Sequence, residues 1–318
     1  MPALLRRILL APLPRLVWTG VLTYLLVRLL HWVAPSIAAL RSVTLAGSVR
    51  NAVMALVVFT LGLLLFERRR PRDAGLAPAR AVPDTLRGFL LGAALLTVVT
   101  GVLALAGSYR ILGWAPLPEG TSRALLLGKV VLLFLAVGIF EEVAMRGIVF
   151  RLLEQGIGTW LAMGVSALFF GFGHRGNPGA TWMSSVAIAS EAGVLLAAAY
   201  VATRSLWLPI GIHWAWNLVE GPVWGSPVSG NAMGVLAQAT FPGPPLLTGG
   251  VFGPEAGLPA MVLGTAVGAV FLVVAVRREQ IVTPGWMRWI AARLRPGPGA
   301  DDAGPAPATA PSVPPSAA

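Results

Sequence analysis

The sequence predicts an all-α membrane protein, a polytopic bundle of about eight transmembrane helices that enclose a polar intramembrane cavity. Three observations lead to this fold class. Hydrophobic residues make up 56% of the 318 residues and charged residues only 12%, whereas soluble domains have about 25% charged residues. The mean hydropathy is +0.76. Eight apolar runs approach the roughly 20 residues that a helix needs to cross a bilayer.

The positions of these runs define the predicted domain organisation. The runs cover residues 16–34, 51–66, 88–106, 124–150, 159–174, 182–203, 206–218 and 258–276. They predict one membrane domain over residues 1–280, without an internal repeat or a second soluble domain. Residues 281–295 carry Trp, Ile and Leu against Arg and predict an amphipathic helix at the membrane surface. Residues 296–318, rich in Pro and Ala, predict a disordered tail.

The distribution of arginine predicts the orientation of the domain. The loop after the second run holds six arginines, whereas residues 219–257 contain no Lys or Arg. Short basic loops stay on the cytoplasmic side, so both termini are predicted to be cytoplasmic. The contrast is weakened by five arginines on the predicted outer side: Arg41, Arg50, Arg110, Arg123 and Arg175.

The net charge of +11 and the isoelectric point near 11.6 raise the question of an acidic partner. The basic residues flank apolar spans instead of forming a continuous soluble patch. This pattern favours anionic lipid headgroups as partners and argues against nucleic acid. The chain contains no cysteine, which excludes disulfides, thiol nucleophiles and thiolate metal sites.

Two adjacent carboxylates, Glu141 and Glu142, lie in the middle of the fourth run, and Arg146 follows them. A charged side chain at the centre of a membrane helix costs roughly 2.5–3.5 kcal/mol on insertion scales. Residues four apart share a helix face, so Glu142 is predicted to pair with Arg146. Both are interpreted as supporting residues, and a purely structural ion pair between helices explains them equally well. Glu141 points about 100° away and has no partner in the sequence.

Of the three histidines, His31 lies at the edge of the first run, and the other two lie in the fifth and seventh runs. Phe170 and His174 are four residues apart in the fifth run, and His213 and Asn217 are four apart in the seventh. Each pair therefore shares a helix face, and facing helices of a bundle build polar sites in this way. Phe170 has no polar group and is interpreted as a packing residue of the cavity wall. With Glu141, the sequence predicts a site of one carboxylate, two imidazoles and one carboxamide.

These polar groups are typical of a site that activates water. A carboxylate in an apolar pocket is suited to take a proton from water and to deliver it to a leaving amine, which is the role predicted for Glu141. His174 is predicted to hold or share that water. His213 and Asn217 carry donors that can face the oxygen of a tetrahedral intermediate, where one preorganised donor is worth roughly 3–4 kcal/mol. The combination predicts amide hydrolysis without a serine.

At these residues the chain resembles the CAAX prenyl protease and bacteriocin-processing family of intramembrane proteases, which includes the type II CAAX prenyl endopeptidases. Its motifs E-E-x-x-x-R, F-x-x-x-H and H-x-x-x-N are matched in order by Glu141, Glu142 and Arg146, by Phe170 and His174, and by His213 and Asn217. The similar region runs over residues 124–276. Segments around the third motif resemble the bacterial branch of the family, which implies a bacterial plasma membrane.

The resemblance implies a multi-span helical fold with a conical cavity and a glutamate-dependent peptidase. Glu141 and His174 would activate water, and His213 and Asn217 would form the oxyanion site. The implied substrate is a membrane-associated peptide or protein, of the CAAX type or similar to a bacteriocin. Members have been classed as metalloproteases, but the zincin H-E-x-x-H motif is absent here. No cofactor is predicted as a requirement; if a divalent metal such as zinc binds, its candidate ligands are Glu141, His174 and His213.

Two other function classes remain open from the sequence. A proton-coupled transporter would use Glu141, Glu191 and the histidines as a relay, but the inverted repeats typical of transporters are not found. A catalytically silent member would act as a membrane scaffold. Glu191 lies within the sixth run without a partner in the sequence and is interpreted as a further residue of the same cavity.

Overall fold

The structure is a computed structural model that describes residues 11–33, 44–284 and 287. Within these residues the chain is a bundle of α-helices with two short antiparallel ribbons. Most of the predicted surface helix at 281–295 and the whole predicted tail at 296–318 lie outside the described residues. The helices are α1 (Pro12–Val33), α2 (Leu45–Gly62), α3 (Pro78–Leu105), α4 (Arg123–Glu142), α5 (Arg151–Ile157), α6 (Thr159–Gly173), α7 (Trp182–Ile188), α8 (Val194–Thr203), α9 (Trp207–Leu218), α10 (Pro245–Thr248) and α11 (Leu258–Arg277).

Several helices continue through turns of π-helix. Such turns contain one residue more than an α-helical turn and are often found at functional sites. They lie at Leu63–Glu67 after α2, Val143–Phe150 between α4 and α5, Ala189–Gly193 between α7 and α8, and Val219–Val223 after α9. The last three follow or contain acidic residues inside the bundle.

The helical membrane bundle predicted from the sequence is confirmed. Each of the eight apolar runs coincides with a helical segment. Helix α3 begins before its predicted run, and the segment that begins with α4 continues through a π turn and α5 to Ile157, beyond its predicted run. Among the described residues, five helical segments are long and apolar enough to cross a membrane: Leu45–Glu67, Pro71–Leu105, Arg123–Ile157, Trp182–Thr203 and Leu258–Arg277. By comparison, α6 has 15 residues and α9 has 12. The predicted count of eight spans and the orientation of the termini stay predictions.

Local sequence signals explain where the helices of the site begin. Ser122 caps α4, because its hydroxyl accepts a hydrogen bond from the Leu125 N–H at 3.2 Å. Thr181 and Ser184 form a capping box at the start of α7. Gly158 separates α5 from α6 with a φ of +81°, a backbone conformation that favours glycine. These signals set where α4 and α6, which carry Glu141 and Phe170, and the neighbouring α7 begin.

Residues 219–257 form a loop region that packs on one end of the bundle. It contains the ribbon of β2 (Pro227–Val228) and β3 (Asn231–Ala232) and a 3-10 turn at Pro254–Ala256, while β4 (Ala237–Thr240) pairs with β1 (Arg110–Trp114). The Gly230 N–H donates to the Phe252 carbonyl at 2.7 Å. A Cβ at Gly230 would lie 1.9 Å from the Pro178 carbonyl oxygen, so this contact requires glycine. The loop region is thereby held against the segment that follows His174.

Helices α3 and α9 approach each other closely at glycine positions. A Cβ at Gly92 would lie 2.3 Å from the Ile212 carbonyl oxygen, and a Cβ at Gly211 would lie 2.2 Å from the Thr85 carbonyl oxygen. Small residues allow this backbone approach and are typical of helix contacts in membranes. The contact positions α9, which carries His213 and Asn217.

We expect Gly92→Ala to destabilise the protein, because the added methyl group meets backbone atoms that no side-chain rotation can move. Overpacking of this kind costs about 1–3 kcal/mol. The measurement is the thermal unfolding midpoint of the purified protein in detergent. Gly101→Ala is the matched control on the same helix, because a Cβ there meets nothing within 4 Å. Equal midpoints for the two variants would contradict the packing argument.

Candidate active site

Three predicted site residues meet inside the bundle. Glu141 lies near the end of α4, His174 follows α6, and His213 lies within α9. Glu141 Oε2 is 3.9 Å from His174 Nε2 and 3.9 Å from His213 Nε2. This separation is too long for a direct hydrogen bond and short enough for one water molecule to bridge. The structure therefore brings the carboxylate and both imidazoles together.

Each imidazole is oriented by a hydrogen bond at its other nitrogen. His174 Nδ1 is 2.8 Å from the Phe170 carbonyl oxygen. A carbonyl only accepts, so Nδ1 carries the hydrogen and Nε2 is directed at Glu141. His213 Nδ1 is 2.9 Å from Glu142 Oε1, and its Nε2 also faces Glu141. Both rings thus present Nε2 to the same carboxylate.

The predicted pair of Glu142 and Arg146 is confirmed. Arg146 Nη1 donates to Glu142 Oε1 at 2.9 Å, and the two side chains are 2% and 0% exposed. Arg146 Nη2 donates to the carbonyls of Ala192 and Gly193 at 2.9 and 3.3 Å. Because Glu142 Oε1 also accepts from His213, this pair ties α4 to α9 and to the π turn at Ala189–Gly193.

Phe170 packs in the wall of the site, as its sequence position predicts. Its ring is buried, and the guanidinium carbon of Arg146 lies 4.4 Å from the ring centroid. The rings of His174 and His213 meet it edge-on at centroid distances of 5.0 and 6.1 Å. Phe170 therefore touches both imidazoles and the buried cation, and it restricts the orientations of all three.

These groups open onto a cavity of about 400 Å³. Its wall includes Asn217, which is 8% exposed and lies one helical turn after His213. No side-chain hydrogen bond of Asn217 is found within the described part of the chain, so its amide is free to meet a ligand. The other polar residues of the wall are Ser48, Asn51, Glu141, His174, Asn177, Glu191, His213, Ser229, Asn231 and Glu255.

The loop region contributes polar groups to the cavity that the three sequence motifs do not include. Glu255 Oε1 accepts hydrogen bonds from the Ser229 N–H and hydroxyl, both at 2.7 Å, and both residues line the cavity. The Glu255 N–H donates to Glu220 Oε1 at 3.2 Å. Burial raises the pKa of the Glu255 carboxyl, and the hydrogen bonds from Ser229 oppose that rise. The signal in the sequence is that Glu220 and Glu255 lie in a Gly- and Pro-rich segment without Lys or Arg.

The candidate metal ligands lie farther apart than a zinc ion requires. Tetrahedral zinc holds nitrogen and oxygen ligands at about 2.0–2.1 Å, which places neighbouring ligand atoms about 3.3 Å apart. Both separations from Glu141 Oε2 are 3.9 Å. Across the described ranges, no group of three or more His, Asp or Glu side chains is arranged to hold a metal ion. The arrangement does not fit a tetrahedral zinc site.

Comparison with known proteins gives one finding. Residues 123–219 match the family model described as Type II CAAX prenyl endopeptidase Rce1-like. The match covers just under a third of the chain and includes all three motifs. It is shorter than the region of resemblance at 124–276. Neither curated proteins nor solved structures gave a match.

Proposed function

We propose that this chain is an intramembrane endopeptidase that activates water with Glu141 and His174. Its residues 123–219 match the family model of the Rce1-like type II CAAX prenyl endopeptidases. The proposal depends on one observation: Glu141 Oε2 lies 3.9 Å from an imidazole nitrogen of His174 and 3.9 Å from one of His213, at the wall of a cavity of about 400 Å³. The family indicates a protease of the membrane with a peptide or protein substrate. The glutamate-dependent mechanism is our proposal.

In the proposed reaction a water molecule lies between Glu141 and His174. Glu141 takes one proton from the water as its oxygen attacks the carbonyl carbon of the substrate peptide bond. His174 accepts a hydrogen bond at Nε2, since its Nδ1 hydrogen is used by the Phe170 carbonyl. Glu141 then transfers the proton to the amide nitrogen, the C–N bond breaks, and an acid and an amine leave.

The negative oxygen of the tetrahedral intermediate needs donors. Asn217 offers an amide N–H, and His213 offers Nε2–H when its ring carries both hydrogens, because Nδ1–H is held by Glu142. Such preorganised donors act strongly in a site that excludes bulk water. Glu142 and Arg146 act through His213, so they are positioning residues.

The test is peptide hydrolysis in water labelled with ¹⁸O, using the protein in liposomes and candidate peptides of the CAAX and bacteriocin types. We expect one ¹⁸O atom in the new C-terminal carboxyl group of the product. A pH-sensitive dye inside the same liposomes measures proton flux. Proton flux without cleavage would support the transporter instead, and neither cleavage nor flux would support the scaffold.

A further inference from the structure

The cavity wall carries acidic groups without matching basic groups. Glu141, Glu191 and Glu255 line it, and its described lining contains no Lys or Arg. Arg146 lies behind the wall, and its hydrogen bonds go to Glu142 and to backbone carbonyls. Glu141 has a role in the proposed reaction, whereas Glu191 and Glu255 have none.

Glu191 is held in place by its backbone. It lies in the π turn at Ala189–Gly193, and a Cβ at Gly264 of α11 would lie 2.8 Å from the Glu191 Cβ. This contact fixes the position of Glu191 against α11. The residue is 1% exposed, and over the described ranges its carboxyl forms no ion pair and receives no hydrogen bond from another side chain. Arg146 interacts with it electrostatically, and the backbone of Ala192 interacts with it by a hydrogen bond. A buried carboxylate that is not directly paired with a cation is costly, by several kcal/mol in proteins.

Glu255 reaches the same cavity from the loop region. The Ser229 N–H and hydroxyl both donate hydrogen bonds to Glu255 Oε1, and the Glu255 N–H donates to Glu220 Oε1. The side chain is therefore fixed, with Glu255 4% exposed. Glu191 and Glu255 are close enough to interact electrostatically, and Glu255 also interacts with His174. The two carboxyls thus belong to one region of the wall next to His174.

We propose that Glu191 and Glu255 form a subsite for a positively charged group of the peptide substrate, a lysine or arginine side chain near the bond that is cleaved. The inference rests on the proposed function and adds a substrate class to it. A cation in this position would pair with carboxyls that form no direct ion pair within the described protein, and charge-assisted hydrogen bonds are the strong ones. A carboxylate of the substrate in the same position would be repelled.

The experiment measures peptide binding without turnover. The probes are three fluorescent nonapeptides of Leu and Ala that differ only at the central residue, which is Lys, norleucine or Glu. They are titrated against Glu141→Gln protein in lipid nanodiscs at neutral pH. We expect the Lys peptide to bind about tenfold more tightly than the norleucine peptide, and the Glu peptide to bind more weakly than both.

Three further variants, each made in the Glu141→Gln protein, test which residues cause the preference for the Lys peptide over the norleucine peptide. Glu191→Gln keeps the shape of the side chain, and we expect it to reduce the Lys-to-norleucine ratio to about one to three. Glu255→Gln is the second variant and should act in the same direction. Glu119→Gln removes one acidic group from an exposed loop position and should keep the tenfold ratio. Thermal unfolding midpoints show that each variant is folded.

The outcomes separate the subsite from the proposed function. No Lys preference in the Glu141→Gln protein overturns the subsite, whether the peptides bind equally or fail to bind. A preference that survives both Glu191→Gln and Glu255→Gln overturns it as well. Lack of hydrolysis by the protein with Glu141 intact would overturn the proposed function but leave the binding preference standing.

Discussion

Replacing Glu141 with Gln is expected to lower the rate of peptide hydrolysis by about 10²- to 10⁴-fold, the range that general acid–base catalysis contributes. Gln keeps the size of the side chain and can still hydrogen-bond a water molecule, but it cannot take the proton. The imidazoles that lie 3.9 Å from the Glu141 carboxylate keep their own hydrogen bonds, His174 with the Phe170 carbonyl and His213 with Glu142. The measurement is kcat/KM for a peptide that the unaltered protein cleaves in liposomes.

Two variants control this result. Glu119→Gln lies at an exposed loop position, so we expect no loss of rate. Glu141→Asp keeps the acid but shortens the side chain, so we expect partial activity. If Glu141→Gln retained more than a tenth of the rate while its unfolding midpoint stayed unchanged, Glu141 would not be the base.

Replacing Arg146 with Met is expected to destabilise the protein by about 3–5 kcal/mol, because Glu142 would remain buried without its cation. Met fills a similar length and packs against Phe170. The free energy of unfolding in mixed detergent micelles is the measurement. The exposed pair of Arg72 and Asp73 provides the control, since side chains that are 60% and 48% exposed at 3.7 Å contribute at most about 1 kcal/mol.

A second substitution tests the cause of this loss. Glu142→Gln removes the carboxylate charge that Arg146→Met leaves without a partner, and it keeps an acceptor for His213. We therefore expect the double variant to be more stable than Arg146→Met alone. Equal loss in the single and double variants would show that packing of the arginine, and not its charge, stabilises the bundle.

Much of the site was predictable because its residues obey the spacing of single helices. Phe170 with His174, His213 with Asn217, and Glu142 with Arg146 each share a face at a separation of four residues. The first of these pairs is joined by the Phe170 carbonyl, and the third by an ion pair. Apolar length predicted the helices in the same way, since each run is a local property of the chain.

Contacts between distant segments were not predictable from spacing. The hydrogen bond of His213 to Glu142 joins residues 71 positions apart, and the contact of Ser229 with Glu255 joins two parts of a loop region that has no periodic pattern. Both depend on how helices and loops pack against each other. The number of helices that cross the membrane also depends on how the helices pack, because α6 and α9 are short and lie beside longer helices of the bundle.

The π turns at Val143–Phe150, Ala189–Gly193 and Val219–Val223 have a consequence for how this bundle can change. A wide turn tolerates the loss of one residue by tightening into an ordinary one, and each residue in a helix advances the direction of the next side chain by about 100°. Deleting one residue at these three places is therefore expected to leave the helical segments on either side facing the same way, whereas the same deletion elsewhere in a helix would turn every later side chain by about 100°.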